Sequence, residues 1–571
     1  MDLRRSLSVA RGDEPADLLL RNAQLVNVLS GEIHTTDIAV AGSRIAGLGA
    51  GYRARAALDL GGRYVAPGWI DAHVHLETSM VLPREFARAV VPRGVTTVVA
   101  DPHEIANVLG IDGIRLLLDD ARGAPLTTYL NAPSCVPSSP LETSGAALEA
   151  SDLAPLLEEP SVLGLAEVMS FPAVVRGDDR VLAKIGTFAG RRIDGHCPGL
   201  TGRALNAYVA AGITSDHECT SAAEAREKLR RGMTIFLREG SVARNLSALL
   251  PLVTPQNERR LCFCTDDRGP RDLLSEGSVD HLVRRAVAQG IDPVAAIRMA
   301  TLNAADHFGL RDRGAVSPGR RADLVVLSDL RELRVERVYK DGRLVARDGE
   351  LVSPTPPGAV PPAVRHTVHL GAGDLDFRIA ARGGRVRVIE VVPDQILTRS
   401  GIADARREAG AAVADPDRDL LEMAVVERHR GSGNVGLGFV SGMGLRRGAL
   451  ATTVAHDHHN LVVVGCDARS MQVAARAVAG AGGGQAVADG ERVLALLPLP
   501  IAGLLSDRPI ECVRAASDAL LGAARALGSR LRDPFTTLSF LSLPVIPELK
   551  LTDVGLIDVN RFQRVPLFVG D

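Results

Sequence analysis

A chain of 571 residues is too long for one ordinary domain, so two or three are expected. It is 46% hydrophobic but only 3% aromatic, which leaves core packing to Leu, Val, Ile and Ala. The formal net charge of −2, with arginines and acids interspersed and no basic block, argues against nucleic acid as a partner. The seven cysteines form no Cys-x-x-Cys and read as reduced thiols. There is no apolar signal-like N-terminus and no run near the roughly 18 apolar residues of a membrane span. A cytoplasmic protein without a membrane partner is expected.

In chain order, residues 17–50 alternate short apolar runs with turn residues, the texture of a strand meander. That texture returns at 322–327 and at 338–345, where Asp341-Gly342 is a hairpin signal. These flanks, 1–63 and 312–355, are expected to build one small β domain together. Between them, 64–311 carries eight strand candidates, 64–75, 95–101, 126–131, 162–169, 192–196, 213–217, 233–238 and 261–266. Helix-like stretches such as 111–122, 201–211 and 221–231 separate them. The alternation fits either a (β/α)8 barrel or a doubly wound open sheet. Pro354, Pro356, Pro357, Pro361 and Pro362 mark a linker. The region 364–571 reads as an α/β or α+β domain, with helices expected at 401–413, 467–480 and 510–532.

The residues at the strand ends decide between the two architectures. His73 and His75, after Pro67-Gly68, point to the same side of a strand. Glu167, His196, His217 and Asp266 each close a later apolar segment. Only a barrel brings the ends of strands one, four, five, six and eight to one mouth. Four imidazoles and two carboxylates suit a pair of divalent metals, with Glu167 bridging. Asp266 would also move a proton. His103, after strand two, is a proton-shuttle candidate or a loop residue without a role. Glu239, after strand seven, is a candidate to hold a substrate ring, and Asp267 is expected to point away.

Three other motifs are weighed. His75-Leu76-Glu77 is half of a zinc deaminase signature whose Pro-Cys-x-x-Cys half is absent. Gly431 to Gly436 matches G-x-G-x-x-G, but strand-like residues follow it, so turns are expected. His456-Asp457-His458-His459-Asn460 is either a metal site or a polar turn.

The run Pro67 to His75 resembles the first-strand signature of the amidohydrolase superfamily. Asp101-Pro102-His103-Glu104-Ile105-Ala106-Asn107, Asp194 to Leu200, Ser215 to Cys219 and Arg238 to Ser241 are similar to the bacterial adenine deaminase family. So is the third region, through Gly431 to Gly444, His456-Asp457 and Asn460. The resemblance implies a TIM barrel of the amidohydrolase type and deamination of adenine to hypoxanthine and ammonia by a metal-bridged hydroxide. It implies two ions, Mn2+ or Fe2+ with Zn2+ also admitted, held by His73, His75, Glu167, His196, His217 and Asp266, with His103 beside them. Many related enzymes bridge their metals with a carbamylated lysine, but here the position is Glu167, and Lys184 and Lys228 lie in helix-like contexts. The chain departs from the family at His458, where Ser is expected, and around Ala468 to Ser470. A homo-oligomer is expected. The rival expectations are an amidohydrolase acting on a cyclic amide or N-acetyl sugar, and a scaffold without catalysis.

Overall fold

The computed structural model describes residues 3–356, 358–371, 375–393 and 395–570. Pro357 of the expected linker lies outside the described residues. Eight short parallel strands organise the middle of the chain: β1 (Trp69–Val74), β2 (Val95–Ala100), β3 (Thr127–Ala132), β4 (Val162–Val168), β5 (Arg192–Gly195), β6 (Ser215–Asp216), β7 (Thr234–Arg238) and β8 (Leu261–Cys264). β2 shows why they are strands. Val-Thr-Thr-Val-Val-Ala is β-branched and buried throughout, as expected for a parallel strand covered on both faces.

β1 to β5 pair in sequence order as one sheet and β6 to β8 as another. The sheet curls until its arcs touch at both ends. Thr214 N donates to Ile193 O at 2.9 Å, and Asp266 N donates to His73 O at 2.9 Å. Helices Ile111–Ala121, Gly202–Ala210 and Ala222–Leu229 lie close to their expected positions. The single tryptophan, Trp69, opens β1, fully buried, and its indole donates to Arg93 O at 3.0 Å.

A nine-stranded sheet flanks the parallel strands and draws on both ends of the region. Ala16–Asn27, Glu32–Ala41, Arg44–Leu48 and Ala54–Asp59 come from before them, and Leu324–Leu327, Val335–Lys340, Arg343–Arg347 and Glu350–Leu351 from after. The ninth strand corrects an expectation. The candidate 64–75 is two strands, and Tyr64–Pro67 pairs antiparallel with Leu324–Leu327 in the flanking sheet. The chain changes sheets at Gly68, where a Cβ would lie 2.3 Å from Thr96 Oγ1.

After the linker, a second nine-stranded, mostly antiparallel sheet carries helices Ala468–Gly480 and Ile510–Ala526. The helix expected at 401–413 does not form. Thr398–Asp404, Arg406–Glu408 and Ala411–Val413 are strands. Glu408 pairs with Ala411 across a two-residue turn in which Ala409 and Gly410 have φ of 47° and 74°. Two successive positive φ values define a hairpin turn, which overrides the helical spacing. This domain docks on the parallel strands' side of the molecule. Ser506 N donates to Met80 O at 2.8 Å, Ile510 N to Glu85 at 2.8 Å, and Thr143 Oγ1 to Asp553 at 2.6 Å.

Close strand packing sets a limit on side-chain size. A Cβ at Gly164 on β4 would lie 1.9 Å from Arg192 O of β5. Gly164→Ala is expected to cost about 1–3 kcal/mol through overpacking. A thermal melt followed by Trp69 fluorescence reads this as a Tm lowered by several degrees.

Candidate metal centre

The four histidines and two acids singled out from the sequence gather at the C-terminal ends of their strands. His73 and His75 sit one strand repeat apart at the end of β1, with Nε2 atoms 3.2 Å apart. Glu167 is on β4, and His196, His217 and Asp266 follow β5, β6 and β8. All are buried except His196, whose side chain keeps 19% of its surface exposed.

Glu167 lies between the imidazoles. Its Oε1 is 3.3 Å from His75 Nε2 and 4.0 Å from His73 Nε2. Its Oε2 is 2.5 Å from His196 Nδ1 and 3.1 Å from His217 Nε2. Asp266 Oδ1 joins the first group, 3.1 Å from His75 Nε2 and 3.5 Å from His73 Nε2. Ligand atoms roughly 3 Å apart match a cation with bonds of about 2.1 Å at near-right angles. The mixed imidazole and carboxylate set suits divalent Mn, Fe or Zn. His75 Nδ1 lies 3.1 Å from Asp101 O. A carbonyl only accepts, so that nitrogen carries the proton and the Nε2 lone pair faces the centre.

Two cationic groups flank this core. Arg238, the last residue of β7, sets Nη1 2.7 Å from Asp266 Oδ2 and grips both oxygens of Glu218. Burial pushes the Asp266 carboxyl up, but Arg238 and the facing histidines outweigh it and hold it well below the usual carboxylate range. His103 opens helix α1 (His103–Leu109), with Nδ1 3.0 Å from Asp101 Oδ2 and 3.6 Å from Glu167 Oε1. Burial disfavours its charged form, yet Asp101 and Glu104 outweigh burial and raise it well above the ordinary histidine value.

Glu239 is not brought to this cluster. Its carboxylate pairs with Arg285 and accepts from Leu246 N at 3.2 Å. The neighbour Arg238 takes the inward place, because successive side chains on a strand face opposite ways. Asp267 likewise turns aside, accepting from Thr78 Oγ1 at 2.5 Å.

Several residues near the centre carry no role in the sequence reading. Glu218 follows a proposed ligand and belongs to the Arg238 pair. Glu104 lies 3.4 Å from His103 Nε2, and its two oxygens pair with His456 Nδ1 and His459 Nε2 of the C-terminal domain. The 456–460 segment is therefore a turn that docks on α1. Lys228 ties two ligand strands together from behind. Its Nζ is 2.7 Å from Cys197 O, 3.0 Å from Asp216 Oδ2 and 2.7 Å from Glu224 Oε1. Lys184 donates to Ser134 O at 2.8 Å.

Comparison with known proteins places this geometry. Residues 64–345 match the amidohydrolase family, and residues 395–563 match the adenine deaminase C-terminal domain. The chain is thus an amidohydrolase, of a metal-dependent class of hydrolase. A protein named adenine deaminase from Desulfatibacillum aliphaticivorans is 52% identical over 98% of this chain and 99% of its own length. One of the same name from Methanothrix thermoacetophila is 51% identical over 99% of both chains. This chain belongs to the adenine deaminase family. A dihydropyrimidinase structure from Brevibacillus agri is 17% identical and aligns with 59% of this chain and 96% of its own, at a TM-score of 0.46.

The Lys228–Asp216 pair is fully buried. Burial pushes the Asp216 carboxyl up, but Lys228 and then His217 outweigh it and hold it at about 2. Its stabilising contribution is therefore complete above about pH 4 and lost as pH falls towards 2. Lys228→Met leaves Asp216 buried without its partner, an expected loss of about 3–5 kcal/mol at neutral pH. Melting curves from pH 7 down to pH 2 check this: the gap between variant and wild type is widest above pH 4 and narrows in acid.

Proposed function

We propose that this chain hydrolyses adenine to hypoxanthine and ammonia at a centre holding two divalent cations, Mn2+ or Fe2+. One observation carries the reading: Glu167 offers one oxygen to His73 and His75 and the other to His196 and His217. The chain is also about half identical, over nearly its full length, to proteins named adenine deaminase. The contacts at both ends of the curled sheet support a closed (β/α)8 barrel, which would hold the six donors in register.

His73, His75 and Asp266 would hold one cation, and His196 and His217 the other, with Glu167 shared. Bound there, such cations lower the pKa of water enough to supply hydroxide near neutral pH. Asp266 takes the proton of the attacking water at Oδ1, while Arg238 fixes its other oxygen. The water oxygen joins C6 of the purine, and the C6–amine bond breaks. His103, favoured in its charged form by Asp101 and Glu104, gives a proton to the ring or to the leaving amine. Asp266 passes its proton to whichever of these two positions His103 does not serve, and the remaining hydroxyl proton returns to His103, so the net gain is one water proton on ammonia and one on the hypoxanthine ring. A cyclic amide or N-acetyl sugar would use the same centre, but the match over 395–563 favours adenine.

Protein loaded with Mn2+ is expected to release ammonia from adenine and leave cyclic amides and N-acetyl sugars intact. Asp266→Asn is expected to lower kcat by about 10²–10⁴-fold; full activity in that variant would disprove the proton-transfer role. Chelation is expected to abolish turnover and remove about 2.7 kcal/mol of stability at a metal concentration of 100 Kd. Both return when Mn2+ is restored, as melting and metal content together report.

A further inference from the structure

The C-terminal domain reaches the centre through one turn, His456 to Asn460, and this turn is held from several sides. His456 and His459 pair with Glu104 of α1. Asn460 donates to Thr143 O at 2.8 Å and accepts from Arg428 N at 3.2 Å. His459 Nδ1 accepts from Ala455 N at 3.1 Å. His458 Nδ1 accepts from Asn460 N at 2.8 Å, and a turn fixed in this way has little freedom to swing its one other side chain elsewhere.

That side chain is Asp457. It is 2% exposed, and Oδ1 lies 3.8 Å from His103 Nε2. The other face of the same imidazole looks at Glu167, with Nδ1 3.6 Å from Oε1. Asp457 is therefore one ring away from the carboxylate between the histidine pairs. Its Oδ2 is buried and has no hydrogen-bond partner among the described residues. Glu142, from the loop after β3, is buried nearby, close enough to feel the charge of Asp457, and its Oε2 is likewise without a partner. A buried carboxylate oxygen left without a donor is costly, and native sites rarely keep one unless a bound molecule supplies the donor.

We propose that Asp457 is a substrate-binding residue, its Oδ2 accepting a hydrogen bond from an N–H of the base at the centre. This rests on the adenine reading above. Adenine offers such donors on its exocyclic amine and on its five-membered ring, whereas its other ring nitrogens only accept. The C-terminal domain thereby contributes to recognition as well as covering the mouth of the strands.

The test uses the full-length protein loaded with Mn2+ and compares wild type with Asp457→Ala and Asp457→Asn. The Ala variant is expected to raise KM for adenine about tenfold or more while kcat moves less than about threefold. The Asn variant, whose amide oxygen still accepts, is expected to recover part of that loss. An unchanged KM in the Ala variant overturns the proposal. So does a fall in kcat at constant KM, which marks a residue that only positions His103. Should the Ala variant melt early or lose metal, the isosteric Asn variant decides by the same split. Wild-type protein that leaves adenine untouched overturns the reading of function itself, a result separable from either variant's.

Discussion

The molecule is organised around the placement of one carboxylate. Glu167 sits within reach of four imidazoles drawn from three strands, and an ionised acid buried so deeply is tolerable only with charge or donors on every side. Those neighbours cannot approach unless the ends of β1, β4, β5 and β6 converge. The backbone enforces the same geometry. Ser134 Oγ donates to Glu167 O at 2.6 Å, fixing the strand end from the β3 side. Asp71, two residues before His73, accepts from Thr265 N and Oγ1 and locks β1 to the segment that carries Asp266.

Charge is arranged in layers around that carboxylate. Arg238 pairs with both Asp266 and Glu218 in a buried setting. Asp101 and Glu104 do the reverse for His103, favouring its charged form against the cost of burial. The result is one acid held ready to accept a proton and one imidazole held ready to give one, on different sides of the same cluster. Separation of this kind depends on fixed side chains rather than on solvent, because little water surface remains at either group.

How much of this is legible in the sequence depends on the range of the interaction involved. The six donors can be named because each closes a short apolar run, and strand periodicity then gives their side. The same period, applied one residue further, would have favoured Arg238 over Glu239. Gly68 hides a change of sheet inside what reads as one continuous strand, because the reason is a contact with Thr96 rather than a local preference. The hairpin at 409–410 was masked by Ala and Arg spacing that also suits a helix. Least legible is the pairing of Glu104 with His456 and His459, across some 350 residues. No spacing rule links a helix start in one domain to a turn in another. The turn itself remains an even choice from sequence, since histidines and an aspartate serve a metal or a dock equally well.

One packing detail has a practical outcome. Trp69 is the chain's sole indole, and it opens the very strand that ends in His73 and His75. Ultraviolet emission from the whole polypeptide therefore originates, on the tryptophan channel, from a single site four residues short of the first imidazole. Quenching by a paramagnetic ion or a spectral displacement on loading can be followed without any added dye, with the native fluorophore serving as the gauge.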